Sequence, residues 1–132
     1  MEAAKLCGMA KPPPRIAVVD DDASVRKAIG RLLSASSFEI ATYGSANEFL
    51  KSLEQQSPHC LVVDIHMPDV TGLDLQRHMG HAGIKIPTIV ITAHNQPGLR
   101  ERCRSAGAAA FLVKPFDGTA LIAEINSAIQ HG

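Results

Sequence analysis

The chain has 132 residues, and its 13 basic and 13 acidic side chains leave a formal net charge of zero. A chain of this size and balance is a single small domain, without an overall field that would recruit nucleic acid or an anionic membrane. Cys7, Cys60 and Cys103 match neither a disulfide framework nor a zinc spacing, and no apolar run approaches the length of a membrane span. We expect a cytoplasmic protein in which residues 1–14 are a flexible tail and residues 15–132 form the domain.

The first half of the chain alternates strand-like and helix-like patterns. The β-branched, apolar segment Arg15–Asp20 predicts a short buried strand, and Ala23–Ala35 predicts a helix because its apolar residues recur at helical spacing. Phe38–Tyr43 alternates and predicts a second strand. Ser45 with Glu48 three residues later is a capping-box pattern, which predicts the start of a second helix.

The second half repeats this alternation three times. The strands are predicted at Cys60–Asp64, Pro87–Thr92 and Ala110–Val113. The helices are predicted over Gly72–Gly80, around Leu99 to Ala106, and after Asp117 as a cap.

Five apolar strands that alternate with five helices indicate an α/β fold. Solidly apolar strands are typical of a parallel sheet with helices on both faces. The pattern therefore predicts a doubly wound five-stranded parallel sheet with right-handed crossovers. We expect a flavodoxin-like (βα)5 arrangement with strand order 2-1-3-4-5, which would put the first and third strands side by side.

Polar residues cluster where the predicted strands end. Asp20 and Asp21 follow the first strand, Asp64 ends the third, Thr92 ends the fourth, and Lys114 follows the fifth. Ligands of open parallel sheets bind at this edge, where the strand order reverses. Two carboxylates about 4 Å apart repel by roughly 4 kcal/mol at an effective dielectric near 20, so such a cluster favours a bound cation. All-oxygen ligands favour Mg²⁺.

A magnesium ion, a carboxylate, a hydroxyl and a lysine together suit phosphoryl transfer. The three charged oxygens of an incoming phosphoryl group need counter-charge and donors, which Mg²⁺, Thr92 and Lys114 would supply. Asp64 would be the nucleophile and would form an aspartyl phosphate. Asp69 lies past Pro68, and we assign it to the turn and helix start before Gly72.

Four motifs in this order and spacing carry a family resemblance: VVDDDASVRKAI, VVDIHMPDVTGLDL, PTIVITAH and AGAAAFLVKPF. From about Arg15 to Gln130 the chain resembles the receiver domain of a two-component response regulator. The ITAH and FLVKPF segments resemble the FixJ-like subgroup.

The resemblance implies a role for each matching residue. Asp64 would be the phosphoacceptor. Asp20, Asp21, Asp64 and the backbone carbonyl of His66 would bind Mg²⁺. Thr92 and Lys114 would contact the phosphoryl group, with Thr92 and the aromatic Phe111 as switch residues, and the Lys114–Pro115 peptide bond would be cis. His66 and His94 occupy positions that would tune the lifetime of the acyl phosphate.

The resemblance also implies partners. A sensor histidine kinase would supply the phosphoryl group, and the protein would be a phosphoacceptor with weak self-catalysis rather than an enzyme. Phosphorylation would draw Thr92 inward and open space for Phe111. This would change the surface of the fourth helix, fifth strand and fifth helix, through which a homodimer could form. DNA would be reached only through an output domain, which FixJ-like kinship suggests by analogy.

Several alternatives stay open at the level of sequence. A haloacid-dehalogenase-type phosphatase would use Asp20 as nucleophile and Asp22 as acid/base, but it needs a later acidic pair. An FMN binder would be disfavoured by three aspartates after the first strand, and a phosphate-independent binding module would leave the acceptor residues unexplained. Phosphorylation of His66 itself is disfavoured because phosphoacceptor histidines usually lie on helices of bundle domains. A zinc site from His66, His94 and nearby aspartates has no supporting ligand spacing.

Overall fold

Five parallel strands form one sheet in the computed structural model, which describes residues 12–67 and 70–131. In chain order the strands are β1 (Arg15–Val19), β2 (Glu39–Tyr43), β3 (Cys60–Asp64), β4 (Thr88–Thr92) and β5 (Ala110–Val113). The strand order is β2-β1-β3-β4-β5, and every pairing is parallel. The predicted fold and strand order are therefore confirmed.

Five helices connect or follow these strands. They are α1 (Ala23–Ala35), α2 (Ala46–Ser52), α3 (Gly72–Ala82), α4 (Leu99–Ser105) and α5 (Gly118–His131). α3 continues two residues past the predicted end at Gly80 and stops where Gly83 takes a left-handed conformation, with φ of 73°. An L-residue with a side chain rarely adopts this conformation, so Gly83 ends the helix.

Two apolar layers cover the two faces of the sheet. One layer joins side chains of α1 and α5 to the sheet, with Ile29, Leu33 and Leu121 among its buried members. The other joins α2, α3 and α4 to the opposite face and contains Phe49 and Leu75. Because both faces are covered, β1, β3, β4 and β5 need few outward-facing polar residues, which explains their mostly apolar sequences. The edge strand β2 is less buried and exposes Glu39 and Thr42.

The sheet register places the ends of β1 and β3 beside each other. Val19 pairs with Val63 across these neighbouring strands. The next residue along each chain is an aspartate, Asp20 or Asp64. Strand order and register thus bring together two carboxylates that lie 44 positions apart in the sequence.

Two sequence predictions concern segments outside the described residues. Of the predicted tail at residues 1–14, the structure describes only residues 12–14. The proposed turn role of Asp69 also lies outside the described residues.

Candidate functional site

Three carboxylates meet at the carboxyl edge of the sheet. Each of Asp20, Asp21 and Asp64 offers one oxygen, and these oxygens lie within 4.8 Å of one another. Asp20 is fully buried, Asp64 is 8% exposed and Asp21 is exposed. Among the described residues, this is the one group of three or more acidic, histidine or cysteine side chains with a geometry that suits a metal ion.

Asp20 is held from several sides. Its Oδ1 accepts a hydrogen bond from the backbone N–H of Asp22 at 2.9 Å, and its backbone carbonyl accepts one from Nη1 of Arg26 at 2.7 Å. Its buried Oδ2 has no hydrogen-bond partner. Burial, with a smaller contribution from the charge of Asp64, raises the pKa of Asp20 from 3.8 to about 6. A buried carboxylate oxygen that accepts no hydrogen bond fits a site that is completed by a cation.

Lys114 supplies the positive charge of the site. Its Nζ lies 3.6 Å from Oδ2 of Asp20 and 3.5 Å from Oδ2 of Asp64. These are ion-pair distances, longer than those of a hydrogen bond, and their near equality shows that the ammonium is shared between the two carboxylates. The peptide bond between Lys114 and Pro115 is cis, the isomer that the resemblance implied.

Asp64 is oriented by the loop that follows it. Its Oδ1 accepts a hydrogen bond from the backbone N–H of His66 at 2.9 Å, while its Oδ2 faces Lys114. The carboxylate therefore has a fixed direction, and the remaining exposure gives a reactant access to it. The role of the His66 carbonyl as a metal ligand stays a prediction.

The start of α3 packs directly under this loop. A Cβ on Gly72 would lie 2.8 Å from the carbonyl oxygen of Asp64 and 2.9 Å from Cα of Ile65. Both neighbours are backbone atoms that cannot turn away. The glycine therefore permits the helix to approach the acceptor loop, a role that the sequence pattern did not reveal.

Thr92 is turned toward its own loop. Its buried hydroxyl donates a hydrogen bond to the carbonyl of His94 and accepts one from the backbone N–H of His94, both at 3.0 Å. The hydroxyl is thus committed to the turn after β4. To contact a phosphoryl group on Asp64, it would have to leave these two partners.

Phe111 is already buried. The residue is 8% exposed and belongs to the apolar layer under α4, and Cζ of Arg100 lies 5.0 Å from the centre of its ring. The sequence-based prediction is that phosphorylation draws Thr92 inward and that Phe111 then occupies the space this opens. In this state the ring is inside while Thr92 still contacts His94, so burial of the ring does not depend on movement of Thr92.

Comparison with known proteins identifies the family. The model of the response regulator receiver domain matches residues 16–126. The chain belongs to this family. The receiver is 37% identical over 114 residues to the transcriptional regulatory protein FixJ of Rhizobium meliloti. The aligned segment covers 86% of the chain and 56% of FixJ. It is 35% identical over 113 residues to nodulation protein W of Bradyrhizobium diazoefficiens, covering 86% of the chain and 50% of that protein.

The structure of the receiver is also similar to solved structures of this family. The crystal structure of FixJ-N has a TM-score of 0.85 and 34% identity, and the match covers 92% of the receiver and 98% of FixJ-N. The response regulator StyR has a TM-score of 0.83 and 38% identity over 90% of the receiver and 60% of StyR. These similarities support the FixJ-like subgroup. The chain spans about half the length of the curated relatives it matches.

Sequence reasoning located the residues of this site but missed some of their contacts. The structure brings Asp20, Asp21, Asp64 and Lys114 together as the strand order predicts. The contact between Arg26 and the Asp20 carbonyl had no signal in the sequence.

In the part of the chain that the structure describes, no helix is both long and apolar enough to cross a membrane.

Proposed function

We propose that this receiver accepts a phosphoryl group from a histidine kinase onto Asp64 in a Mg²⁺-dependent reaction. The observation that carries the proposal is the setting of the Asp64 carboxylate. It ends a buried strand, is directed by the N–H of His66, and shares one ammonium with Asp20. Membership in the receiver family supports the same role.

The carboxylate cluster fits a magnesium ion. Asp20, Asp21 and Asp64 would hold it, together with the His66 carbonyl, because Mg²⁺ prefers oxygen ligands and the three carboxylates have oxygens within 4.8 Å. Bound there, the ion would neutralise charge on the oxygens of the transferring phosphoryl group. The buried Oδ2 of Asp20, which accepts no hydrogen bond, is the feature that most favours a cation.

The chain's own residues would position and neutralise the reactants. An oxygen of Asp64 forms the new bond to phosphorus as the bond to the donor nitrogen of the phosphohistidine breaks, and the electron pair of that bond stays on the imidazole. Lys114, already 3.5 Å from Asp64, would pair with a phosphoryl oxygen. Thr92 would exchange its contacts with His94 for one to another phosphoryl oxygen.

The signal would leave the site through the loop after β4. When Thr92 releases His94, the segment that leads to α4 loses two hydrogen bonds and can change position. We infer that the α4-β5-α5 surface responds and controls an output domain or a partner. Homodimerisation through this surface, a cytoplasmic location and the absence of enzymatic turnover beyond weak self-catalysis belong to the same proposal.

Phosphorylation by a small donor tests the assignment of Asp64. Incubation with phosphoramidate and Mg²⁺ should add one phosphoryl group to the intact protein, measured by mass spectrometry, and Asp64→Asn should abolish it. Asp22→Asn is the matched control, because the Asp22 carboxylate caps α1 and lies outside the metal cluster. A phosphoryl group that persists in Asp64→Asn but disappears in Asp20→Asn would instead favour the phosphatase alternative. No incorporation into the wild type would favour a phosphate-independent binding module.

A further inference from the structure

The rings of His66 and His94 contact each other at the mouth of the acceptor site. Their centroids lie 5.6 Å apart with an interplanar angle of 68°, and both residues are exposed. His66 is two residues past Asp64 at the end of β3, and His94 is two residues past Thr92 at the end of β4. β3 and β4 are paired neighbours, so the sheet brings these two loops together.

We propose that His66 and His94 form a binding site for a divalent transition-metal ion such as Zn²⁺ or Cu²⁺, and that the bound ion opposes phosphorylation of Asp64. The first part stands on the ring geometry alone. The second part rests on the proposed function, because it concerns the same acceptor.

The separation of the rings suits chelation. A Zn–N bond of about 2.0–2.1 Å puts the ion roughly 3 Å from each ring centre, so two chelating imidazoles stand about 5–6 Å apart. The observed 5.6 Å falls in this interval. The rings meet edge to face, and because both side chains are exposed they can turn until a nitrogen of each faces the ion. The metal cluster of the described residues contains neither histidine, so water would fill the remaining coordination positions and the site would be open.

The two sites at this edge would select different ions. Imidazole nitrogen prefers Zn²⁺, Cu²⁺ or Ni²⁺, whereas carboxylate oxygen suits Mg²⁺. Before Mg²⁺ binds, the three carboxylates outnumber the neighbouring cations Lys114 and Arg26, so their field attracts cations to this edge of the sheet. A Mg²⁺ ion at the carboxylates and a transition-metal ion at the imidazoles are therefore chemically distinct.

A bound ion would fix the loop that holds Thr92. The hydroxyl of Thr92 contacts both the N–H and the carbonyl of His94. An ion that joins the His94 ring to His66 immobilises this turn, so Thr92 keeps its present partners and cannot turn to a phosphoryl group. The ion and its waters also occupy the approach to Asp64.

The binding test uses Zn²⁺ with excess Mg²⁺ present to occupy the carboxylates. Zinc affinity is measured by competition with a chromophoric chelator for the wild type, His66→Ala and His94→Ala. Each variant should lose on the order of tenfold or more in affinity, since even an outer-shell partner of a metal ligand contributes about 10–100-fold. Both substitutions keep the backbone N–H groups that contact Asp64 and Thr92.

The control is a double variant, His78→Ala with His81→Ala, which removes two exposed histidines of α3. It should bind Zn²⁺ as the wild type does. Unchanged affinity in either His66→Ala or His94→Ala, or loss of binding in the control, would overturn the proposed site.

The functional test measures the rate of phosphorylation by phosphoramidate and Mg²⁺ with and without Zn²⁺. Zinc should slow the wild type and leave His94→Ala unaffected. If Zn²⁺ binds to the histidines but the rate is unchanged, the inhibitory role is wrong and the site stands. If the wild type is not phosphorylated even without Zn²⁺, the proposed function fails while the binding result is unaffected.

Discussion

Asp20 is fully buried beside two other carboxylates, and one of its oxygens has no hydrogen-bond partner. Burial, more than the neighbouring charges, raises its pKa from 3.8 to about 6. A carboxyl group with a raised pKa in the folded state stabilises the fold most below its unfolded pKa, where it is protonated in both states. This contribution is lost as the pH rises through about 6. At neutral pH the metal-free protein therefore carries an unfavourable charge in its interior.

Replacing Asp20 with asparagine should stabilise the metal-free protein at pH 8. The shift from 3.8 to about 6 corresponds to about 3 kcal/mol at most, so we expect a gain of about 1–3 kcal/mol in the free energy of unfolding. The gain should vanish below pH 4, and urea denaturation at both pH values measures it. The asparagine oxygen can still accept from the N–H of Asp22.

The control for this substitution is Asp22→Asn, which replaces an exposed carboxylate and keeps a helix cap. Its effect should be small and similar at both pH values. A destabilised Asp20→Asn protein at pH 8 would show that the attraction of Lys114 outweighs the burial of the carboxylate.

At the scale of elements, α3 contains two glycines in very different surroundings. A Cβ at Gly72 would meet backbone atoms of Asp64 and Ile65 at 2.8–2.9 Å, whereas a Cβ at Gly80 would meet nothing within 4 Å. Gly72→Ala should therefore destabilise the protein and displace the acceptor loop. Gly80→Ala should stabilise it by up to about 1 kcal/mol, because alanine is the better helix former. Chemical denaturation measures both.

Displacement of the loop should also distinguish the two glycine variants by their rates of phosphorylation. The N–H of His66 directs Asp64, so Gly72→Ala should also slow phosphorylation while Gly80→Ala leaves the rate unchanged. Equal stability of the two variants would contradict the close packing of α3 under the loop.

α4 is less firmly anchored than α1. It has seven residues, buries only Leu99 and Cys103, and begins after Gly98, which provides no side-chain cap. α1 has thirteen residues, and the side chain of Asp22 caps it. Few buried contacts and a short hydrogen-bonded segment favour local opening. We expect α4 to be the element that responds to the acceptor site.

Hydrogen exchange should detect this difference. Backbone amides of α4 should exchange faster than those of α1, and phosphorylation should change exchange in α4 and β5 while leaving α1 nearly constant. Mass spectrometry of peptic peptides, with and without phosphoramidate and Mg²⁺, gives the measurement. Protection of α4 equal to that of α1 would argue against α4 as the mobile element.

At the scale of the whole molecule, the fold was predictable because local and global signals agree. Continuous apolar strands, amphipathic helices and residues such as Asp22 and Ser45 at helix starts all favour one parallel sheet. The candidate site follows from that topology, since the residues at the carboxyl ends of parallel strands lie together at one edge of the sheet. Asp20 and Asp64 could therefore be placed together without coordinates.

The unpredicted features are those that depend on side-chain direction or on close approach between distant segments. The contact of the His66 and His94 rings depends on the paths of two loops. The burial of Phe111 under Arg100 depends on rotamers that the sequence pattern does not specify. The tight approach of Gly72 to Asp64 is invisible until both backbones are positioned.

Magnesium should couple the acceptor site to the stability of the entire domain. An ion that binds the folded carboxylate cluster but not the unfolded chain stabilises the fold by about 2.7 kcal/mol at a hundred times its dissociation constant. For a chain of this size that corresponds to an increase in Tm of roughly 10 °C. Because protons compete for Asp20, whose pKa is about 6, the increase should be larger at pH 8 than at pH 5.5.

Thermal unfolding followed by circular dichroism, at matched ionic strength with NaCl in place of MgCl₂, isolates the specific effect. Asp64→Asn and Asp20→Asn should each reduce the magnesium response, and Asp22→Asn should retain it because Asp22 is outside the cluster. An equal increase in Tm with NaCl would show that the salt only screens the repulsion between the three carboxylates and that no specific magnesium site is involved. A response that persists in Asp20→Asn would place the ion elsewhere, since the buried oxygen of Asp20 that accepts no hydrogen bond is the ligand best suited to it.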